Sequence, residues 1–415
     1  MNEQTYFFVL GTNHSLSKVD IVNTLVKEGA EPKILAASEE LLIVETARDL
    51  EPKRIMNELG SAAKMGRVLT VKQNLEEILA GVEVPKLSPI TFGISVYGAG
   101  GKFQRLNEIF YGVPKLAREI KTKLAEQGIE ANYLPVKERE LPSAVVDQRG
   151  LLTKGFELIL GVGEEGIYVG KTLAVQDYKG YSARDYGRPA RDPKAGLIPP
   201  KLAKMMINLA LKGKEEILLD PFCGSGTVLQ EAVLLGYQKL IGSDSSEKSI
   251  RDSQTNLDWL FAKFGLKKKN FNIQLFCQDV QKIASKVSFK TVSAIVTEPY
   301  LGSPAAKGFN PAQIQKEVAK LEKLYLGAFE EFRKVLKDDG VIVMIFPIFR
   351  FRDQYFQLDI MDGIYALGFK KRDFIPVKPA GSEKLNLNLT VRGSIIFFRP
   401  GQTVSREIFV FEKAR

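Results

Sequence analysis

Ile217-Leu218-Leu219-Asp220 is an apolar run that ends in an acid, and it turns through Pro221-Phe222-Cys223-Gly224-Ser225-Gly226 into the helical stretch Thr227-Val228-Leu229-Gln230-Glu231-Ala232-Val233-Leu234-Leu235. No other segment constrains the chain so tightly. A buried strand, a turn with two glycines and an apolar helix in succession open a βα unit of a parallel sheet, and such sheets bind ligands outside the carboxyl ends of their strands. The glycines let the loop backbone come close to a ligand. A dinucleotide loop carries three glycines in GxGxxG order and a phosphate loop carries Gly-Lys-Ser/Thr; neither pattern is present, which disfavours a phosphate ligand.

The following strands repeat the theme. Lys239-Leu240-Ile241-Gly242-Ser243-Asp244 ends in an acid suited to accept from both hydroxyls of a ribose, and Ile273-Gln274-Leu275-Phe276-Cys277-Gln278-Asp279 ends in another, able to accept from an adenine amine. One acid at a strand end is an ordinary turn or N-cap residue. Three in register with a glycine loop describe a cofactor edge. A fourth strand, Val292-Ser293-Ala294-Ile295-Val296-Thr297, runs into Glu298-Pro299-Tyr300 at the same edge.

Composition removes competing chemistries. The two cysteines, Cys223 and Cys277, cannot build a disulfide framework or a cysteine-rich zinc site, and a reducing cytosol suits them. His14 is the only histidine, so neither a Ser-His-Asp triad nor a multi-imidazole metal centre is available, and no metal is expected. No apolar run approaches the roughly 20 residues that span a bilayer, and the first residues lack a secretory pattern, so a cytoplasmic protein without a membrane is expected. The net charge is +10, with 33 basic against 23 acidic residues beyond position 200, which suits a polyanionic partner.

Short apolar runs alternate with helical patterns along the whole chain, which predicts an α/β protein of several domains. Residues 1–80 read as a small α/β module with strands at Tyr6–Leu10 and Leu41–Glu45 and a helix over Lys18–Glu28. Residues 81–175 form a second unit whose helix is expected from Pro114 to Gln127, stopped by Gly128. Glycine, proline, tyrosine and arginine dominate 176–195, which reads as a linker in which Arg184, Arg188, Arg191 and Lys194 are suited to phosphate contact. Beyond it, 196–415 reads as the parallel-sheet domain, entered by a helix that starts at Pro199-Pro200.

Asp220-Pro221-Phe222-Cys223-Gly224-Ser225-Gly226-Thr227, the acid Asp244 with Ser245, and Asp279-Val280 resemble the S-adenosylmethionine-binding motifs of Rossmann-like methyltransferases, in the version found in enzymes that methylate amino nitrogens. Arg188 to Ala203 resembles the segment preceding this domain in THUMP-containing tRNA guanine-N2 methyltransferases. The resemblance implies that Asp220, Pro221, Phe222, Cys223, Gly224, Gly226 and Thr227 cradle the cofactor, with Asp244 and Ser245 at the ribose and Asp279 and Val280 at the adenine. It also implies that Leu197 closes over the methionine end. Residues 1–80 would be a ferredoxin-like module and 81–175 a THUMP-like RNA-binding domain. Such families carry Asp/Asn/Ser-Pro-Pro-Tyr/Phe after the fourth strand, where a polar side chain and a proline carbonyl hold the target amine and the aromatic ring stacks on the base. Here Thr297, Glu298, Pro299 and Tyr300 stand there: one proline is missing, and either Thr297 or Glu298 takes the place of the usual acid or amide. The implied activity is guanine-N2 methylation of tRNA. Ribosomal RNA as substrate, or a catalytically silent RNA-binding protein with a degenerate fourth motif, are the alternatives. Some relatives need a small activator subunit, which the resemblance admits as a further partner beside the RNA.

Overall fold

The apolar runs at the two ends of the chain are built into two separate sheets in the computed structural model, which describes residues 3–81, 88–191, 197–303, 308–398 and 404–414. The chain divides into two compact units: Met1–Tyr178 with Val377–Leu387, and Lys179–Pro376 with Asn388–Arg415.

In the first unit β1 (Gln4–Leu10), α1 (His14–Lys27), β2 (Lys33–Ala37), β3 (Leu41–Thr46), α2 (Pro52–Glu58) and β4 (Ala62–Lys72) form a βαββαβ, ferredoxin-like half. After α3 (Leu75–Gly81) come β5 (Ile90–Gly98), α4 (Phe103–Glu126), β6 (Ala131–Leu134), α5 (Ser143–Gln148), β7 (Gly155–Val162) and β8 (Ile167–Val175). All eight strands share one sheet in the order β2-β3-β1-β4-β8-β7-β5-β6, so what the sequence reads as two modules is joined through β4 and β8. A buried charge network crosses the join. Lys64 of β4 donates to Glu157 of β7 at 2.6 Å, and Ser95 of β5 and Thr172 of β8 each donate to the same carboxylate at 2.6 Å, all four residues being buried. Four neighbouring strands are thereby held in one register, because a slip would leave a buried carboxylate unpaired. The segment 377–387 belongs to this unit as well: Ile34 N donates to Ala380 O at 2.8 Å and Lys18 Nζ to Leu385 O at 2.7 Å.

The helix expected from Pro114 begins eleven residues earlier, with Pro114 in its interior, and it ends as expected beside Gly128 at φ +74°. The expected connector 176–195 also differs, because Tyr178–Tyr186 is helical (α6).

The second unit continues with α7 (Pro200–Ala210), β9 (Ile217–Asp220), α8 (Thr227–Leu234), β10 (Lys239–Asp244), α9 (Glu247–Lys263), β11 (Asn272–Cys277), β12 (Val292–Thr297), α10 (Pro311–Val335), β13 (Leu336–Phe351), β14 (Gln354–Phe356), α11 (Met361–Ala366), β15 (Phe369–Lys371), β16 (Ile395–Phe397) and β17 (Val404–Lys413). The sheet order is β11-β10-β9-β12-β13-β17-β15, with β9 to β13 parallel and β17 antiparallel between β13 and β15. Chain order reverses at β9, whose neighbours are β10 and β12, and a Rossmann-like sheet binds its ligand at that switch point. The sheet is anchored by α10, whose Tyr325, Phe329 and Phe332 are buried against Phe346, Phe409 and Phe411. No helix among the described residues is long and apolar enough to cross a membrane.

Candidate functional site

The loop after β9 is shaped by two left-handed glycines, Gly224 at φ +50° and Gly226 at φ +81°. A Cβ at Gly226 would lie 3.0 Å from Ser253 Oγ, whereas one at Gly224 would meet nothing within 4 Å, so the loop packs on one side and leaves free space on the other. Cys223 N donates to Ser243 O at 2.9 Å and Gly224 N to Asp244 Oδ2 at 3.1 Å, tying the loop to β10. Sequence reasoning missed the support from α9. Ser253 Oγ donates to Gly224 O at 2.7 Å and Asn256 Nδ2 to Ser225 O at 2.8 Å, and both residues are fully buried. Their i, i+3 spacing puts them on one helix face, a signal available in the sequence.

Asp220, buried at the end of β9, accepts from Thr297 Oγ1 at 2.7 Å and from Phe222 N at 3.2 Å. Burial pushes its carboxyl up to about 7, and the charges of Asp244 and Glu298 add to the rise while those two hydrogen bonds oppose it. Half-buried Asp244 accepts from two backbone N–H groups, Gly224 and Ser246, which leaves lone pairs on both oxygens. Asp279 is exposed and caps the 3-10 turn at Val280–Ser285 by accepting from Gln281 N at 2.9 Å, while Val280 is in the core. Pro221 and Cys223 are buried, Leu197 and Phe222 are half-buried, and Ser245 is exposed.

Of the fourth-strand residues, Thr297 and Pro299 are buried, Tyr300 is 49% exposed, and Glu298 is half-buried with its Oε1 accepting from Arg406 Nε at 2.5 Å. Arg406 comes from β17, opposite Pro347 of β13, and was not singled out in the sequence. The loop beyond is fixed on α10: Tyr325 Oη donates to Tyr300 O at 2.9 Å and Ser303 N to Glu317 Oε1 at 2.9 Å.

The arginines expected to meet phosphate need correction. Arg184 is buried on α6, where it pairs with Glu231 of α8 and lies 4.5 Å from the Tyr181 ring centre. Arg188, also buried, donates to Thr227 Oγ1 at 2.6 Å. A guanidinium enclosed by protein cannot meet a backbone phosphate in solution, so both brace the start of the domain. Arg191 is exposed, 5.0 Å from the Tyr186 ring centre, and Lys194 lies outside the described residues.

The residues fit S-adenosylmethionine. Acids, one of them buried, line the carboxyl edge, which favours a cation; the Gly224 side of the loop is open; and Arg188 Nε, Arg188 Nη2 and Ser225 Oγ, beside that loop, are buried without hydrogen-bond partners among the described residues. Among the described residues no cluster of three histidine, cysteine, aspartate or glutamate side chains is arranged to hold a metal ion.

Sheet order, glycine loop and acidic edge define a Rossmann-like methyltransferase domain, and the family described as RMKL-like, methyltransferase domain, matches residues 188–353. The chain is 32% identical over 179 residues to the tRNA (guanine(10)-N2)-dimethyltransferase of Methanocaldococcus jannaschii, covering 42% of this chain and 44% of that one. It is 32% identical over 145 residues to a probable tRNA (guanine(10)-N2)-dimethyltransferase of Methanothermococcus thermolithotrophicus, covering 34% of this chain and 77% of that one. It belongs to the tRNA guanine-N2 methyltransferase family, although the match spans less than half the length of the Methanocaldococcus relative. The crystal structure of TrmN from Thermus thermophilus has the same fold over 99% of this chain and 100% of that one, with a TM-score of 0.54 at 15% identity.

Proposed function

We propose that this chain transfers a methyl group to N2 of a guanine in tRNA, in the cytosol. The observation that carries the reading is the hydrogen bond from Thr297 to Asp220, which joins the end of the cofactor strand β9 to the end of β12, where Glu298, Pro299 and Tyr300 follow. S-adenosylmethionine, when bound, supplies a methyl group already activated on a sulfonium. Asp220 and the Cys223–Thr227 loop hold it, with Asp244 at the ribose and Asp279 at the adenine.

The exocyclic amine of guanine is a poor nucleophile because its lone pair is delocalised into the ring, so catalysis consists mainly of positioning. Thr297 is buried and its hydrogen is committed to Asp220. That leaves Glu298 as the acceptor for the amine: its Oε1 is taken by Arg406, and its Oε2 makes no hydrogen bond among the described residues. The amine gains a carbon and loses a proton, and Glu298 is the group placed to take that proton. The Pro299 carbonyl supplies a second acceptor, and half-exposed Tyr300 stacks on the extruded base. Residues 81–175, in the THUMP-like reading, bind the acceptor end of the tRNA.

Incubating the full chain with tRNA and S-adenosylmethionine, followed by nucleoside mass spectrometry, tests the proposal. N2-methylguanosine should appear in the tRNA and vanish in Glu298→Ala. Methylated adenine, or methylation of ribosomal RNA alone, overturns the substrate assignment.

A further inference from the structure

β13 outruns the strand beside it. β12 ends at Thr297, in register with Met344, while β13 continues to Phe351. At Phe349 two partners are in register at once, Val404 of β17 and Phe356 of β14. A strand has two edges and β17 holds one, so β14 lies on the edge that β12 holds further back. The β13–β14 hairpin therefore stands past the Glu298-Pro299-Tyr300 loop, with Arg350 about 20 Å along the strand from Met344 at roughly 3.3 Å per residue. Loop and hairpin are in tight contact, since a Cβ at Gly302 would come within 2.9 Å of the Phe349 ring.

The strand alternation turns Phe349, Phe351 and Phe356 toward the core and leaves the opposite face to Arg350 and Tyr355. These two are direct cross-strand partners, with the guanidinium 5.8 Å from the ring centre, and Tyr355 is 62% exposed. At the turn, Arg352 holds φ +54°, a conformation in which glycine or asparagine costs least, and its guanidinium lies 5.4 Å from the Phe351 ring centre. A long cationic side chain kept on a backbone that disfavours it is a reason to look for a function of that side chain. Asp353 is the one acid on the hairpin.

We propose that the hairpin 349–356 grips the RNA strand flanking the target guanine, with Tyr355 stacking on a neighbouring base and Arg350 and Arg352 meeting phosphates. The inference rests on the RNA-methyltransferase reading and extends it from the reacting base to its neighbours. An exposed ring flanked by cations is the chemistry of a single-strand platform, where stacking tolerates any base and the cations follow the backbone.

The test measures tRNA binding to the full chain by fluorescence anisotropy at several salt concentrations, with S-adenosylmethionine affinity by calorimetry and the melting temperature in parallel. Tyr355→Ala should weaken RNA binding about fivefold to a hundredfold. Arg350→Ala and Arg352→Gly should each lower the slope of log affinity against log salt by about one. Arg352→Gly also relieves the backbone, so it should hold or raise the melting temperature while weakening RNA binding, which separates contact from folding. Cofactor affinity should not change in any of the three. RNA affinity equal to wild type in Tyr355→Ala and Arg350→Ala overturns the hairpin assignment and leaves the enzyme reading intact. A wild-type chain that binds no RNA overturns both.

Discussion

Asp220→Asn isolates the charge at the centre of the site, because the amide oxygen can still accept from Thr297 Oγ1 and Phe222 N. In the folded chain burial pushes this carboxyl up to about 7, against an ordinary 3.8. Between those values the folded chain keeps a proton that the unfolded chain has released. Stability is therefore lost as pH rises through that window and is level above it. At about 1.4 kcal/mol for each unit of displacement, the full loss is on the order of 4 kcal/mol. The asparagine variant carries no such slope, so it should match wild type near pH 4 and exceed it by a few kcal/mol at about pH 8. Trp259, the only tryptophan, lies on α9 in the same unit, edge-on to Phe264, and its fluorescence during urea unfolding reports on this unit. At about pH 8 a cationic ligand compensates the ionised carboxylate, so S-adenosylmethionine should stabilise wild type more than S-adenosylhomocysteine, which lacks the sulfonium charge, and Asp220→Asn should lose that preference. A stability difference between the two proteins that stays flat over the whole range refutes the claim that burial governs Asp220.

In the first unit, Glu157→Ala strands the Lys64 charge in the core and should cost about 3–5 kcal/mol by calorimetry, while Lys64→Met with Glu157→Leu should cost much less. Gly226→Ala meets both a left-handed backbone and Ser253, so it should lower stability and cofactor affinity together. Gly224→Ala has room for its Cβ, so its stability cost should stay near ~1–2 kcal/mol while calorimetry shows S-adenosylmethionine binding lost, because the new methyl fills the open side of the loop. Arg406→Leu removes the counter-charge of Glu298 and should cut single-turnover methyl transfer by roughly tenfold or more, with tRNA affinity unchanged.

The parts of this architecture that were legible in the sequence are those written locally. Asp220 to Thr227 encodes strand, turn and helix in one run, and β10, ending in Asp244, and β11, followed by Asp279 in the next turn, come at βα spacing. Connections between distant segments were not legible. Nothing near Glu298 announces Arg406, more than a hundred residues away, because β17 reaches it only after the sheet has closed on its antiparallel strand. Arg184 of α6 and Arg188 just beyond it were misread for a related reason. Their glycine- and proline-rich surroundings suggest a solvated connector, and only packing against Glu231 and Thr227 shows them enclosed. Pro114 misled through its own chemistry, since proline favours the first turn of a helix but is tolerated in the interior of α4, where the remaining apolar face packs on β5 and β7.

The missing proline of the fourth motif acquires a physical meaning from the same geometry. With two prolines after the polar residue, the only side chains able to hold an amine would be that residue and the aromatic ring. In this chain Thr297 turns inward and gives its hydrogen to Asp220, a bond that matters most when Asp220 is ionised. Glutamate at the next position is largely enclosed, and a carboxylate so placed requires a counter-charge, which Arg406 provides from β17, the antiparallel strand beyond β13. Asp220 with Thr297 and Glu298 with Arg406 thus form two buried or half-buried pairs at the ends of neighbouring strands. Exchanging Thr297 for aspartate would put a second buried carboxylate against Asp220, and exchanging Glu298 for proline would remove the carboxylate that faces Arg406. Restoring the usual motif by either single substitution should therefore reduce methyl transfer in a single-turnover assay, and wild-type rates in both variants refute this pairing.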